Sequence, residues 1–394
     1  MDTGTIRYSE PVDAYPREPC LPPTETGEAA SPPLDPFIAA LPRVELHLHL
    51  LGAASPDAVA SLARRRPEHG VPTEPDGVRR YFRFTGFAHF VEVYTAVNAL
   101  VTSGADVFDL VVALAADLAA RAVGYAEVTV TPLSHLRAGV APDALSEALA
   151  AGRAAAGERH GVTLNWIFDA SGDDGPEGAS ATLDWVLRQR PEGAVGFGLG
   201  GPEDVAPRAP FREVFARARA HGLHSVPHAG ETTSAAQVWS AVRDLGAERI
   251  GHGVRAVDDP ALLAFLADRG ITLEVCPTSN LRTGAVSDLD AHPLPALLAA
   301  GVPVALGSDD PAMFDTDLDA EYRQCHDRWG MPPARLLDLA ENAVRAAYCG
   351  ESLRTALLDR VGRLRAWLTL RPAGERSSRS SPGVRAPGSG HAGE

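Results

Sequence analysis

The chain has no lysine: all 36 of its basic residues are arginine. That absence excludes a Walker-type phosphate loop, a Schiff-base lysine enzyme and a two-metal site bridged by a carbamylated lysine. Cysteine is scarce. Cys20, Cys276, Cys325 and Cys349 are the four present, and none stands in a C-x-x-C pair. Reduced thiols and a cytoplasmic location are expected, and no signal peptide is read at the N-terminus. No apolar run reaches the roughly 18 residues of a membrane span. The greasiest stretch, 109–122, is broken by Asp117 and Arg121 and reads as a helix. Positive charge is also in deficit, with 51 acidic residues against 36 basic and a formal net charge of −15. A nucleic-acid surface needs clustered cations to neutralise phosphate, so neither nucleic acid nor membrane is an expected partner.

What remains is globular. The 394 residues are 45% hydrophobic and 22% charged, enough for one large domain or two small ones. The first segment, 1–36, is rich in Pro, Glu and Thr and is expected to be disordered. The last, 371–394, is a Ser/Gly/Pro/Arg tail with four Arg and two Glu, also expected to be disordered. The body, 37–370, carries most of the negative charge.

Within the body, short apolar runs alternate with Ala-rich stretches of helical period. The runs are 44–49, 125–130, 164–168, 194–199, 223–227, 249–252, 272–276 and 303–306. Each is bounded by Gly, Pro, Asp or Ser, and most precede a helical segment such as 260–270. Strands alternating with helices imply parallel pairing, and eight such units imply an α/β fold, a (β/α)8 TIM-type barrel. The gap from His49 to Tyr125 is too long for one crossover helix. Extra helices are expected to cap the barrel mouth there, around 81–100.

Active sites of such barrels lie at the C-terminal strand ends, and the polar residues there carry the functional argument. The first run ends in His47-Leu48-His49, whose two imidazoles share one side of the strand. The fifth is followed by His228-Ala229-Gly230-Glu231. The sixth ends in His252, and the eighth is followed by Ser308-Asp309-Asp310. Three His and one Asp converging from three strand ends suit zinc.

Five motifs in register resemble the adenosine deaminase family of the amidohydrolase superfamily. They are Leu-Pro-Arg-Val-Glu-Leu-His-Leu-His (41–49), His-Ala-Gly-Glu (228–231), Arg-Ile-Gly-His-Gly (249–253), Cys-Pro-Thr-Ser-Asn (276–280) and Ser-Asp-Asp-Pro (308–311). The resemblance covers roughly 37–365. It implies one Zn2+ per chain, held by His47, His49, His228 and Asp309. It implies that Glu231 protonates purine N1 and that His252 holds and polarises the attacking water. Asp310 is implied as the partner of N7, and Gly201, in Gly200-Gly201-Pro202-Glu203, as the residue whose amide meets N3.

The implied roles make chemical sense. Hydrolytic deamination at neutral pH needs hydroxide, which zinc supplies by lowering the pKa of bound water to about 7. Attack at C6 is eased by protonation at N1, a general-acid task. Asp310 must carry or share a proton to read N7. The other zinc deaminase pattern, H-x-E with P-C-x-x-C, is absent.

The chain also departs from the common family pattern. That pattern places an acid or amide after H-x-H-x, where it meets the ribose 5′-hydroxyl. Here the sequence reads His49-Leu50-Leu51-Gly52, and Leu51 makes no hydrogen bond through its side chain. The family more often has Arg at Thr129 and Asp at Gly198. Segments 87–94, 125–132, 197–203 and 227–233 resemble the actinobacterial aminodeoxyfutalosine deaminases. Their substrate is an adenine nucleoside with a ketone-linked benzoate at its 5′ end, in the futalosine route to menaquinone. The implied reaction is 6-amino-6-deoxyfutalosine to futalosine plus ammonia, with adenosine to inosine as the alternative. A modified nucleoside and a catalytically silent, nucleoside-binding homologue are further readings. The sequence does not fix the oligomeric state.

Overall fold

A computed structural model describes residues 34–370. Eight strands form one sheet in sequential order: β1 (Val44–His49), β2 (Tyr125–Val130), β3 (Thr163–Ser171), β4 (Ala194–Gly200), β5 (His224–Ala229), β6 (Arg249–His252), β7 (Thr272–Val275) and β8 (Val304–Leu306). Every neighbouring pair is parallel. The ring closes where His49 N donates to Asp309 O (2.9 Å) and Asp309 N to His47 O (2.9 Å), beside a Leu48–Asp309 bridge. The expected (β/α)8 barrel is therefore observed. Its strands read as apolar runs because parallel strands of this class are covered on both faces.

The helices between them stop and start for local reasons. Before Pro260–Arg269, the Asp259 carboxylate accepts from the amides of Ala261 and Leu262. Pro260 takes the first position, where no donor is needed, and Gly270 ends the helix at φ 65°. Leu262 and Leu266, one turn apart, are its buried face. The stretch read as a helix around 109–122 falls mostly in Gly104–Ala120, started by a Ser103/Asp106 capping box.

The long β1–β2 connection holds Pro56–Arg65, Pro75–Tyr81, Phe87–Asn98 and Gly104–Ala120. Three of these exceed the single crossover helix, as expected. Phe84 of the loop and Phe90 of the third helix pack on Phe314, in the helix that follows Asp310. That contact brings the insertion to the C-terminal side of the barrel.

Several strand ends move by one or two residues from the sequence reading, and two boundaries differ more. β3 runs on through Asp169, Ala170 and Ser171, because Asp169 points its carboxylate at Thr131 Oγ1 (2.5 Å) instead of ending the strand. The tails expected over 1–36 and 371–394 lie outside the described residues, except Leu34, Asp35 and Pro36. These three are helical, the first turn of Leu34–Ala40, which buries Phe37 against Trp367 (centroids 6.2 Å).

The N-terminal floor of the barrel is a closed ion network. Arg249 Nε donates to Glu274 Oε1 (2.6 Å), its Nη2 to Glu127, and its Nη1 to Ala346 O (2.7 Å). Its guanidinium lies 4.1 Å from the Tyr348 ring centroid, and that ring stacks on His224. Tyr125 Oη and Tyr348 N complete Glu127.

Candidate active site at the barrel mouth

His47, His49, His228 and Asp309 are brought together from β1, β5 and the residues after β8. Each offers one atom, all within 4.8 Å of one another. The edges are 3.0 Å for His228 Nε2 to His47 Nε2 and 3.3 Å for His49 Nε2 to His228 Nε2. They are 3.5 and 3.3 Å from Asp309 Oδ1 to His47 and His49. A tetrahedron built on metal–nitrogen bonds of about 2.0–2.1 Å has edges of about 3.3–3.4 Å. The donor set and spacing thus fit a zinc ion. Burial pushes His49 down to about 4 and His228 well below its usual range, so both keep free lone pairs. Burial opposes charge on His47 as well, but Asp309 and Glu274 together lift it to about 10. Those carboxylates make the pocket attractive to a cation. A second grouping replaces His49 and His228 by His252 and Cys276. Burial raises the Cys276 thiol well above its ordinary value, which makes it the poorer donor.

The supports of this set come from residues that sequence reasoning missed. Glu274 Oε2 takes the Nδ1 proton of His47 (3.0 Å) and so turns Nε2 toward the centre. Ser279 Oγ donates to Asp309 Oδ2 (2.6 Å). Glu45 accepts from Ser308 N (3.2 Å) and Oγ (2.9 Å), fixing the turn that carries both aspartates. Glu45, Ser279 and Ser308 stood inside the quoted motifs without a role assigned, and Glu274 lay on a strand that read as plain core.

The backbone is strained where the chemistry sits. His252 (φ 60°) and Asp309 (φ 63°) are left-handed residues that are not glycine. Gly52 is required by a different constraint. A Cβ there would stand 1.6 Å from Asp310 Oδ1.

Glu231 and His252 face each other, Oε2 to Nε2 at 3.6 Å, and His252 Nε2 is 3.8 Å from Asp309 Oδ2. Burial, then Asp309 and Glu203, raises the Glu231 carboxyl to about 8. Its Oε1 is anchored by Thr283 Oγ1 (3.0 Å), and its amide donates to Glu203 Oε1 (3.0 Å). Glu203 follows Gly201, so the loop after β4 is tied directly to the loop after β5. Burial and Asp309 raise Asp310 well above the carboxylate range, and its Oδ1 is buried without a partner. It is therefore a proton carrier open to a ligand.

A chain of hydrogen bonds sets the tautomer of His252. Leu294 N–H can only donate, so His292 Nδ1 accepts (3.0 Å) and the His292 proton lies on Nε2. That proton meets Asn280 Oδ1 (3.2 Å), so the Asn280 NH2 donates to His252 Nδ1 (3.2 Å). His252, held neutral and pushed down to about 3 by burial first, then carries its proton on Nε2, facing the site.

Two departures noted in the sequence also find places. Leu51 is buried in one hydrophobic cluster with Phe84, Phe90 and Phe314. In front of Gly198 the space is taken by Asp169 of β3, whose Cβ would lie 3.0 Å from an added Cβ. Arg79, Arg80 and Arg83, around the end of the insertion's second helix, are exposed. Arg79 is also ion-paired to Asp76 (2.6 Å).

A parallel (β/α)8 barrel with three imidazoles and a carboxylate at its strand ends defines a metal-dependent amidohydrolase architecture. The family model described as "Adenosine deaminase" matches residues 42–364, and the chain belongs to that family. It is 48% identical over 327 residues to the aminodeoxyfutalosine deaminase of Streptomyces coelicolor, covering 82% of this chain and 84% of that one. Among solved structures it resembles an adenine deaminase from Arthrobacter aurescens, with TM-score 0.78, 32% identity, and 84% and 100% coverage. It also resembles a zinc-bound amidohydrolase from Burkholderia ambifaria, with TM-score 0.78, 27% identity, and 88% and 97% coverage. No helix among the described residues is long and apolar enough to cross a membrane.

Proposed function

We propose that the protein is a cytoplasmic zinc hydrolase with one ion per chain. It replaces the 6-amino group of an adenine nucleoside by oxygen and releases ammonia. The substrate is aminodeoxyfutalosine, deaminated to futalosine in menaquinone biosynthesis. The observation that carries the reading is the convergence of the four donor atoms with Glu231, His252 and Asp310 at one mouth. The 48% identity to a deaminase of that name supports the choice of substrate.

His47, His49, His228 and Asp309 would hold the ion, which supplies hydroxide at neutral pH when bound. The remaining work falls to side chains. Asp310, protonated, donates to purine N7 and orients the ring. The Gly201 amide meets N3. Glu231, protonated at neutral pH, gives its proton to N1 as C6 becomes tetrahedral. His252 directs its Nε2 proton at the incoming oxygen and holds it over C6. Adenosine is the alternative substrate, but buried Leu51 offers its 5′-hydroxyl no partner.

The test is an initial-rate comparison on zinc-loaded protein, following the ultraviolet change from 6-amino- to 6-oxopurine. The reading requires kcat/KM for aminodeoxyfutalosine to exceed that for adenosine by at least tenfold. Preference for adenosine makes the protein a purine-salvage enzyme, and silence on both moves the reading to a modified nucleoside or a catalytically silent homologue.

A further inference from the structure

Arg282 ends the helix Pro277–Arg282, whose neighbouring side chains all serve the site: Ser279 holds Asp309, Asn280 holds His252, and Thr283 holds Glu231. Arg282 itself has no such task. Its Nε is buried without a hydrogen-bond partner, and among the described residues no carboxylate pairs with it. It faces a ring: Cζ lies 5.1 Å from the Phe84 centroid. Phe84 opens an aromatic group, with centroids 5.2 Å to Phe90 and 5.7 Å to Phe314, and Phe90 lies 5.8 Å from Tyr94. Phe314 closes the short helix that starts after Asp310. Burial and then the Asp310 charge raise the Tyr94 hydroxyl, so that ring also borders the site. An apolar aromatic wall thus runs from the N7 partner outward to a half-buried, unpaired cation.

A guanidinium lying on a ring keeps its in-plane N–H edge free, and that edge matches a carboxylate bidentately. A partly desolvated guanidinium left unpaired is costly unless a ligand completes it. Of the other acids at the mouth, Glu231 and Asp310 are held protonated, while Asp169, raised by burial only to about 6, disfavours an anionic group beside it at neutral pH. We propose that Arg282 and Phe84 form the subsite for an aromatic carboxylate at the 5′ end of the nucleoside. The ring packs on the aromatic wall, and its carboxylate pairs with the guanidinium. This inference rests on the aminodeoxyfutalosine reading and assigns that molecule's benzoate.

The experiment uses the full zinc-loaded chain as wild type, Arg282→Met and Arg282→Lys. The probes are aminodeoxyfutalosine, its phenyl analogue lacking the carboxylate, and adenosine. Arg282→Met is expected to cut the kcat/KM ratio of aminodeoxyfutalosine to the phenyl analogue about 10- to 100-fold, through KM, the size of a charge-assisted pair. Arg282→Lys is expected to fall between, since it keeps charge but loses the fork. Futalosine binding by calorimetry reads the same contrast without turnover. Equal losses on all three substrates mean a structural role and overturn the subsite. So does a wild type that binds the carboxylate and phenyl compounds equally. A wild type that prefers adenosine, while Arg282→Met still weakens futalosine binding, would sink the function reading and leave the subsite standing.

Discussion

At the floor of the barrel, Arg249 is enclosed by Glu127, Glu274, the Ala346 carbonyl and the face of Tyr348. At the mouth, Asp310 Oδ1, His228 Nδ1 and Arg282 Nε are buried with no partner, and His252 and Asp309 hold left-handed backbone. Both ends bury charge, yet only the floor pairs its charged groups throughout, although the Tyr348 hydroxyl there is buried without a partner. A network whose charges are all paired contributes rigidity and little else, because every charged group in it is already satisfied. An open one costs stability and keeps polar atoms available to something that is not protein. The difference identifies the mouth as the working end without reference to any motif.

Breaking each end separately should give opposite phenotypes. At the mouth, Glu231→Gln should cost about 10²–10⁴-fold in kcat/KM, the span of a general acid. Its melting temperature should hold, because one amide replaces one buried carboxyl. Since Glu231 acts protonated and burial raises it to about 8, its ionisation should set the alkaline limb of the wild-type kcat/KM profile at about pH 8. Above that it should fall tenfold per unit. A profile with no alkaline fall would remove Glu231 from the acid role.

At the floor, Arg249→Met leaves Glu127 and Glu274 buried and uncompensated. Breaking a buried pair in this way costs about 3–5 kcal/mol. Denaturant titration should show that loss of stability, with zinc-loaded activity per folded molecule reduced far less than by Glu231→Gln. If Arg249→Met proves as stable as wild type, the contrast between the two ends is wrong.

Glu274 joins the ends, because one oxygen takes Arg249 and the other His47 Nδ1. Glu274→Gln should weaken zinc affinity about 10–100-fold, the usual effect of removing a ligand's supporting carboxylate. Competition with a chromophoric chelator measures it. Unchanged affinity would show that the floor supports only the fold.

The same contrast explains what was legible in the sequence. All eight strands were readable because each is an apolar run cut by turn residues, a local signal. The four donor residues, Glu231 and His252 were readable because strand ends place them in one layer once the barrel is assumed. Glu274 and Glu45 were not, since a carboxylate inside a buried strand looks like a break in the pattern until its partner is seen. Asp169 was lost for that reason, and β3 was cut short at Phe168. Arg282 was passed over because nothing in a sequence distinguishes a paired arginine from an unpaired one.

The smallest expected effect tests how far from the reaction the mouth extends. His292 touches no ligand position, yet it starts the chain that puts the His252 proton on Nε2. In His292→Leu, Asn280 Oδ1 loses its donor, and nothing then prevents the amide from turning over. An Oδ1 facing His252 Nδ1 would draw the proton there and leave Nε2 bare toward the incoming oxygen. The cost should be about tenfold in kcat/KM, roughly one hydrogen bond at 1.4 kcal/mol per decade, with zinc affinity unmoved. Imidazole 15N shifts read the tautomer directly and separate this from general loosening. The Nδ1–H form in the variant supports the relay. The Nε2–H form alongside a tenfold loss would mean that His292 acts by packing against Trp329, 5.6 Å away, and not through the chain.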